Sequence, residues 1–169
     1  EFIQRDIKKA IQYFLQAANQ NNVTAQLRLG EIYYRGEFIQ RDINKAIQYF
    51  TYAANQNNLT AQCNLGEIFY GGDFNIRDIN KAIQYFTYAA NQNYVTAQLR
   101  LFEIYIEGKY ITQNIKLAIH YLKQAANQKN PLAQFNMGLI YYENKFVSRD
   151  INQAIHYFSL AAKQNIPNA

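Results

Sequence analysis

Asp6, Asp42, Asp78, Asn114 and Asp150 stand 36 residues apart, and each opens a variant of one phrase, DINKAIQYF. A fixed period of this size marks a repeat array, in which every unit buries its apolar face only against its neighbours. The 169 residues are 49% apolar, enough for a sizeable core, and no shift in composition marks a second domain. One array over 1–169 is therefore expected, with units 6–41, 42–77, 78–113, 114–149 and a partial unit 150–169. EFIQRD at 1–6 recurs at 37–42, which predicts a piece of a longer protein whose first and last helices are the least protected. Arrays of this kind make long surfaces for other proteins, so binding is expected rather than chemistry.

Within the second unit, Ile43, Ala46, Ile47, Phe50, Ala53 and Ala54 fall at three- and four-residue steps, the apolar stripe of an α-helix. Asp42 is its expected N-cap, as Asn114 is two units later. Asn57, like Asn21, Asn93 and Asn165, suits the left-handed residue that closes a helix. A second helix follows at once, capped by Asn58, with Ala61, Leu65, Ile68 and Phe69 as its stripe and Gly72 as its end. Its counterparts Gly36, Gly108 and Asn144 also tolerate positive φ. Asn130-Pro131 reads as N-cap and first helical residue. The aromatic residue after each break, at Phe2, Phe38, Phe74, Tyr110 and Phe146, is expected to plug the turn against the core. Helices are predicted near 6–20, 23–35, 42–56, 59–71, 78–92, 95–107, 114–128, 131–143 and 150–164.

The spaced set Ala25, Leu29, Gly30, Tyr33 and Gly36, followed by Asp42, Ala46, Phe50, Ala53 and Ala54, resembles the Sel-one-like repeat family, a relative of the tetratricopeptide repeats. The resemblance covers the whole chain. It implies an all-α fold, a right-handed superhelical α-solenoid of antiparallel helix pairs, serving as an adaptor or scaffold for protein complexes. One branch of that family, associated with β-lactam binding, carries paired cysteines in each repeat; Cys63 stands alone, so that branch is not supported. Phe102 departs from the pattern, since Gly30, Gly66 and Gly138 hold its place elsewhere. If the glycines allow backbone-to-backbone contact, the phenyl ring must spread its helix pair or find space between repeats.

Chemistry is sparse. His120 and His156 lie one period apart, and stacked equivalent helices about 8–10 Å apart do not bring two imidazoles onto one metal. Cys63 takes a packing position held by Leu27, Leu99 and Phe135. Ser148 and Ser159 have no histidine and acid at catalytic spacing, and no glycine-rich phosphate loop is visible. No catalytic residue, metal site or cofactor is expected. The net charge of +5 is spread as a thin row through Lys9, Lys45 and Lys81, which argues against nucleic acid as partner. No apolar run approaches the roughly 20 residues that span a bilayer, so no membrane insertion is expected. A single cysteine favours a reducing, cytoplasmic compartment.

Two surfaces remain for a protein or peptide partner. Arg28, Asn64, Arg100 and Asn136 each precede the leucine or methionine of a buried stripe. In the tetratricopeptide relatives the asparagine of N-L-G faces the concave groove and bonds an extended peptide, and Asn64-Leu65-Gly66 and Asn136-Met137-Gly138 match that pattern. Arginine at the other two rungs favours an acidic segment, because its guanidinium matches a carboxylate in two bonds. Pairing of Arg28 with Glu31 and Arg100 with Glu103 is the local alternative. Tyr52 and Tyr88 form the second candidate surface, suited to an architectural spacer that makes lateral contacts through its outer face.

Overall fold

The computed structural model describes residues 2–37, 39–71 and 76–164, with side chains from Asp6 onward. Among these it holds nine α-helices and no strand: α1 Phe2–Asn19, α2 Val23–Arg35, α3 Ile43–Asn55, α4 Leu59–Gly71, α5 Ile79–Asn91, α6 Val95–Glu107, α7 Ile115–Asn127, α8 Pro131–Glu143 and α9 Ile151–Ala162. This is the all-α solenoid class of antiparallel helix pairs. Gly72, Phe38, Phe74 and Asn165, and the side chain of Phe2, lie outside the described residues.

The short links are asparagine devices. Asn21, Asn57 and Asn93 take φ of 61°, 61° and 62°, and Lys129 takes 62° at the equivalent place. In the first link the Asn21 amide donates to the Ala18 carbonyl at 3.0 Å and the Asn22 amide to Ala17 at 3.1 Å, the paired closure of a Schellman motif. Asn22 then caps the next helix, its Oδ1 accepting from the Ala25 amide at 2.9 Å. Asn58 and Asn130 repeat this on Ala61 and Ala133, at 2.8 and 2.9 Å. One asparagine thus ends a helix and starts another, which makes a three-residue link possible.

The longer links run from Gly36 (φ 68°), Gly108 (φ 62°) or Asn144 (φ 56°) into a helix capped by an acid or amide. Asp42 accepts from the Lys45 amide at 3.0 Å and Asn114 from Leu117 at 3.0 Å. The backbone amides of Asp42, Asp78, Asn114 and Asp150 donate to Tyr33, Phe69, Tyr105 and Tyr141, which fixes each return. α1, by contrast, runs through Asp6 instead of starting there. The aromatic plug holds at Phe146, half-buried against the core, but Tyr110 is exposed. Its phenol keeps contact with water while the Lys109 ammonium sits over the ring at 5.0 Å.

The chain divides into two compact units, 1–88 and 89–169. In the first, Ile43, Ala46, Phe50, Ala53 and Ala54 of α3 bury against Ala61, Leu65 and Ile68 of α4, with Val23 and Leu27 of α2 at the edge. Phe14 is half-buried, whereas its register equivalents Phe50 and Phe86 are 1% and 0% exposed. In the second, Leu122, Ala125 and Ala126 of α7 bury with Ala133, Met137 and Ile140 of α8 and Tyr157 of α9.

The helical glycines make room for a ring, not for a backbone. A Cβ at Gly30 would fall 2.5 Å from the Phe50 ring, one at Gly66 2.6 Å from Phe86, and one at Gly138 2.5 Å from Phe158. Phe102 takes the place of those glycines, and the residue twenty further on is then Leu122 rather than phenylalanine. Both pack in the same cluster, where the smaller Leu122 takes the place of the phenylalanine that Phe102 would meet.

Candidate functional site

The residues that recur in register form three sets. The first is wholly structural. Gln26, Gln62, Gln98 and Gln134 are buried, and their Nε2 groups donate to the carbonyls of Ala18, Ala54, Ala90 and Ala126 at 3.2–3.4 Å. Gln56, Gln128 and Gln164 in turn donate to Oε1 of Gln26, Gln98 and Gln134 at 2.7–2.8 Å. Each bond reaches 30 residues along the chain and ties one helix pair to the next.

A second set stacks aromatics. Tyr33 lies on Tyr49 with centroids 5.7 Å apart, Phe69 on Tyr85 at 5.9 Å, Tyr105 on Tyr121 at 6.1 Å and Tyr141 on Tyr157 at 5.9 Å. Burial, with neighbouring phenols, pushes the Tyr49, Tyr105 and Tyr157 hydroxyls above their ordinary range. Tyr52 and Tyr88 extend this set outward. Each meets the edge of its stacked neighbour, Tyr49 or Tyr85, and its hydroxyl accepts from Gln48 or Gln84 at 2.8 or 2.7 Å. They remain 44% and 48% exposed, so an oriented phenol face is offered to solvent. Lys45 and Lys81 lie over the Tyr33 and Phe69 rings at 5.1 and 5.3 Å, tying these cations to their own unit.

His120 and His156 sit edge-on to Tyr121 and Tyr157, at 5.3 and 5.4 Å. Among the described residues no group of three or more His, Cys, Asp or Glu converges as metal ligands. Cys63 is buried at 5% exposure, a packing residue. No described helix is long and apolar enough to cross a membrane.

The third set is the row before the buried stripe. Arg28 and Arg100 are exposed, and Asn64 and Asn136 half-buried. Arg28 donates to Glu31 at 2.7 Å and Arg100 to Glu103 at 2.8 Å, the local pairs that the spacing allowed. Phe14, Arg28, Glu31, Ile32, Arg35 and Glu37 line a small cavity of about 110 Å³ beside this rung. Exposed pairs at this spacing contribute about 0.2–0.5 kcal/mol, little enough to be exchanged for a partner's carboxylate.

One feature outside these sets was not anticipated from sequence. Between α8 and α9 lies an open apolar groove of about 680 Å³. Its signal was present: Leu132 stands where Thr24, Thr60 and Thr96 stand elsewhere, and Phe135 where Leu27, Cys63 and Leu99 do.

The Sel1 repeat model matches residues 1–22, 23–58, 59–94, 95–130 and 131–166. The chain belongs to the Sel1 repeat family. Sel1 repeat proteins are in general scaffolds for protein interaction, and the fold is typical of non-catalytic scaffolds. Among solved structures, the chain is similar to c5321, a protective antigen present in uropathogenic Escherichia coli strains displaying an SLR fold, with TM-score 0.83 and 29% identity over 92% of this chain and 33% of that one. A Sel1 repeat protein from Oxalobacter formigenes follows at TM-score 0.79 and 28% identity, over 93% of this chain and 64% of that one. Helicobacter pylori cysteine rich protein B is 27% identical at TM-score 0.58, over 78% of this chain and 94% of that one. The chain thus spans a third of c5321 and under two thirds of the Oxalobacter Sel1 protein. Among curated proteins none matches.

Proposed function

We propose that this Sel1 array is a non-enzymatic adaptor that holds an extended, acidic partner segment along Arg28, Asn64, Arg100 and Asn136, with residues 1–169 acting as one continuous array in the cytoplasm. The observation that carries the reading is the register: all four residues stand one step before a fully buried leucine or methionine, at Leu29, Leu65, Leu101 and Met137, each 0% exposed. A rigid floor directly beneath each rung fixes where its polar side chain can reach. Each compact unit contributes one arginine and one asparagine. The arginine exchanges a weak local glutamate for a carboxylate of the partner, while the asparagine offers both a donor and an acceptor to extended backbone.

Affinity capture with wild-type chain, followed by mass spectrometry, supplies the partner. Reversal of both Arg28 and Arg100 to Glu then weakens capture while the helical signal is kept, and Arg→Gln variants separate lost attraction from new repulsion. Undiminished capture by the double reversal contradicts the reading. A second reading, an architectural spacer with lateral contacts through Tyr52 and Tyr88, draws on their oriented, half-exposed rings. Loss of capture on Tyr→Ala at these two positions alone favours it.

A further inference from the structure

The net charge is not shared evenly between the two compact units. Residues 1–88 hold nine Lys and Arg against eight Asp and Glu, whereas residues 89–169 hold eight against four. Many of the cations are already engaged. Lys45 and Lys81 pair with Asp42 and Asp78, Arg100 pairs with Glu103, and Lys109 and Lys145 lie over the Tyr110 and Phe146 rings. On α7, by contrast, the side chains of Lys116 and Lys123 have no ion pair and no ring contact among the described residues. Both are exposed, with exposed His120 between them, and the steps of four and three residues put all three on one face, opposite the buried Ala118, Leu122, Ala125 and Ala126. In the same places α3 carries Asn44, Gln48 and Thr51, and α5 carries Asn80, Gln84 and Thr87, so positions neutral on those helices are basic on α7.

Helix stability does not account for the lysines. Lys116 is the second residue of α7, where a cation opposes the positive end of the helix dipole, and α7 contains no Asp or Glu to compensate three or four residues away. The matching face of α9 is free of acids as well, presenting Asn152, His156, Ser159 and Lys163, all exposed. α7 supplies no exposed large apolar side chain that could enter a bilayer or stack under a base.

We infer that this face of α7 docks an acidic α-helix of a protein partner, with carboxylates at three- and four-residue steps opposite Lys116 and Lys123. Lysines seven residues apart on one helix are separated by about 10 Å along its axis, and a second helix repeats its own side chains at the same rise. Charge complementarity of this kind sets orientation and speeds encounter more than it adds affinity, which suits a reversible contact. The site uses none of the row Arg28, Asn64, Arg100 and Asn136, and it stands or falls separately from it.

The test titrates a capped, alanine-based helical peptide, with Glu at positions i, i+4 and i+7, into the full chain at low ionic strength and follows backbone-amide nuclear magnetic resonance. Saturable shifts are expected on residues 116–127, with binding at least fivefold weaker in the double variant Lys116→Glu and Lys123→Glu and weakened in the wild-type chain by added salt. Both lysines are exposed, so the far-ultraviolet circular dichroism of that variant should be unchanged. Arg28→Glu with Arg100→Glu should leave this binding as it is. Absence of binding, equal binding of the peptide with Gln for Glu, or binding indifferent to the lysine double variant overturns the inference. So does lysine-dependent binding to phosphatidylglycerol vesicles or to a single-stranded oligonucleotide that exceeds binding of the peptide, because the face would then serve a lipid or a nucleic acid.

Discussion

The ring of Phe50 fills the space that a side chain on Gly30 would need, a Cβ there falling 2.5 Å from the ring. The same notch recurs at Gly66 with Phe86 and at Gly138 with Phe158, and it is absent at Phe102, whose partner is Leu122. The Phe102 and Leu122 pair is bulkier than the others by a leucine side chain, so the two positions are read as coupled rather than as an exchange. In the second unit, Phe102→Gly should cost about 2–4 kcal/mol through the void it leaves. Leu122→Phe should cost about 1–3 kcal/mol by overpacking. Together they restore the pattern of the other pairs, so the double variant should be more stable than the sum of the two losses requires. Denaturant unfolding of the four proteins checks it, and strict additivity would contradict the pairing.

Lys129 holds φ at 62° where Asn21, Asn57 and Asn93 stand in the other links. A lysine gains nothing from the left-handed region, whereas asparagine tolerates it and glycine has no Cβ to clash. Lys129→Asn should stabilise the chain by about 0.5–1 kcal/mol and Lys129→Gly by a comparable amount, seen as a higher denaturation midpoint at unchanged slope.

Gln98 is fully buried, donates to the Ala90 carbonyl at 3.2 Å and accepts from Gln128 at 2.8 Å. Gln98→Leu leaves the Gln128 amide without that acceptor and should cost about 1–3 kcal/mol. Adding Gln128→Leu should recover part of the loss, since no lone polar partner remains. Equal losses in single and double variants would mean that packing, not the bond, is what counts.

The stacked phenols make stability sensitive to alkali. Tyr49, Tyr105 and Tyr157 titrate above the ordinary value of 10.0 in the folded chain, chiefly because burial disfavours the phenolate. The unfolded chain therefore releases these protons first. Their contribution is complete below 10.0 and is lost as pH rises from there through the folded values. Denaturation midpoints should fall over this range, and Phe at all three positions should flatten the fall.

Much of the fold was legible because the signals were local. The stripe of Ile43, Ala46 and Phe50, the cap at Asp42 and the closing asparagines each act within one turn, and the 36-residue repetition averaged out chance matches. What escaped were relations across a period. Gln56 bonds Gln26 over 30 residues, and a polar residue beside a stripe looks like any solvated glutamine until the next helix covers it. Phe102 and Leu122 lie twenty residues apart on two helices, and neither residue alone signals the other. On the candidate row, the pairs of Arg28 with Glu31 and Arg100 with Glu103 were legible from spacing, since they lie on one helix face. The groove at Leu132 and Phe135 was visible only as two substitutions, whose meaning depends on which helix lies opposite.

The row of Arg28, Asn64, Arg100 and Asn136 is tested most directly by backbone-amide nuclear magnetic resonance of the full chain, titrated with the acidic segment of the captured partner. The account predicts saturable shifts centred on these four residues and on Glu31 and Glu103, as the local ion pairs are exchanged, with Tyr52 and Tyr88 unmoved. Shifts confined to Tyr52, Tyr88 and their neighbours Gln48 and Gln84, with the four rungs silent, would contradict it.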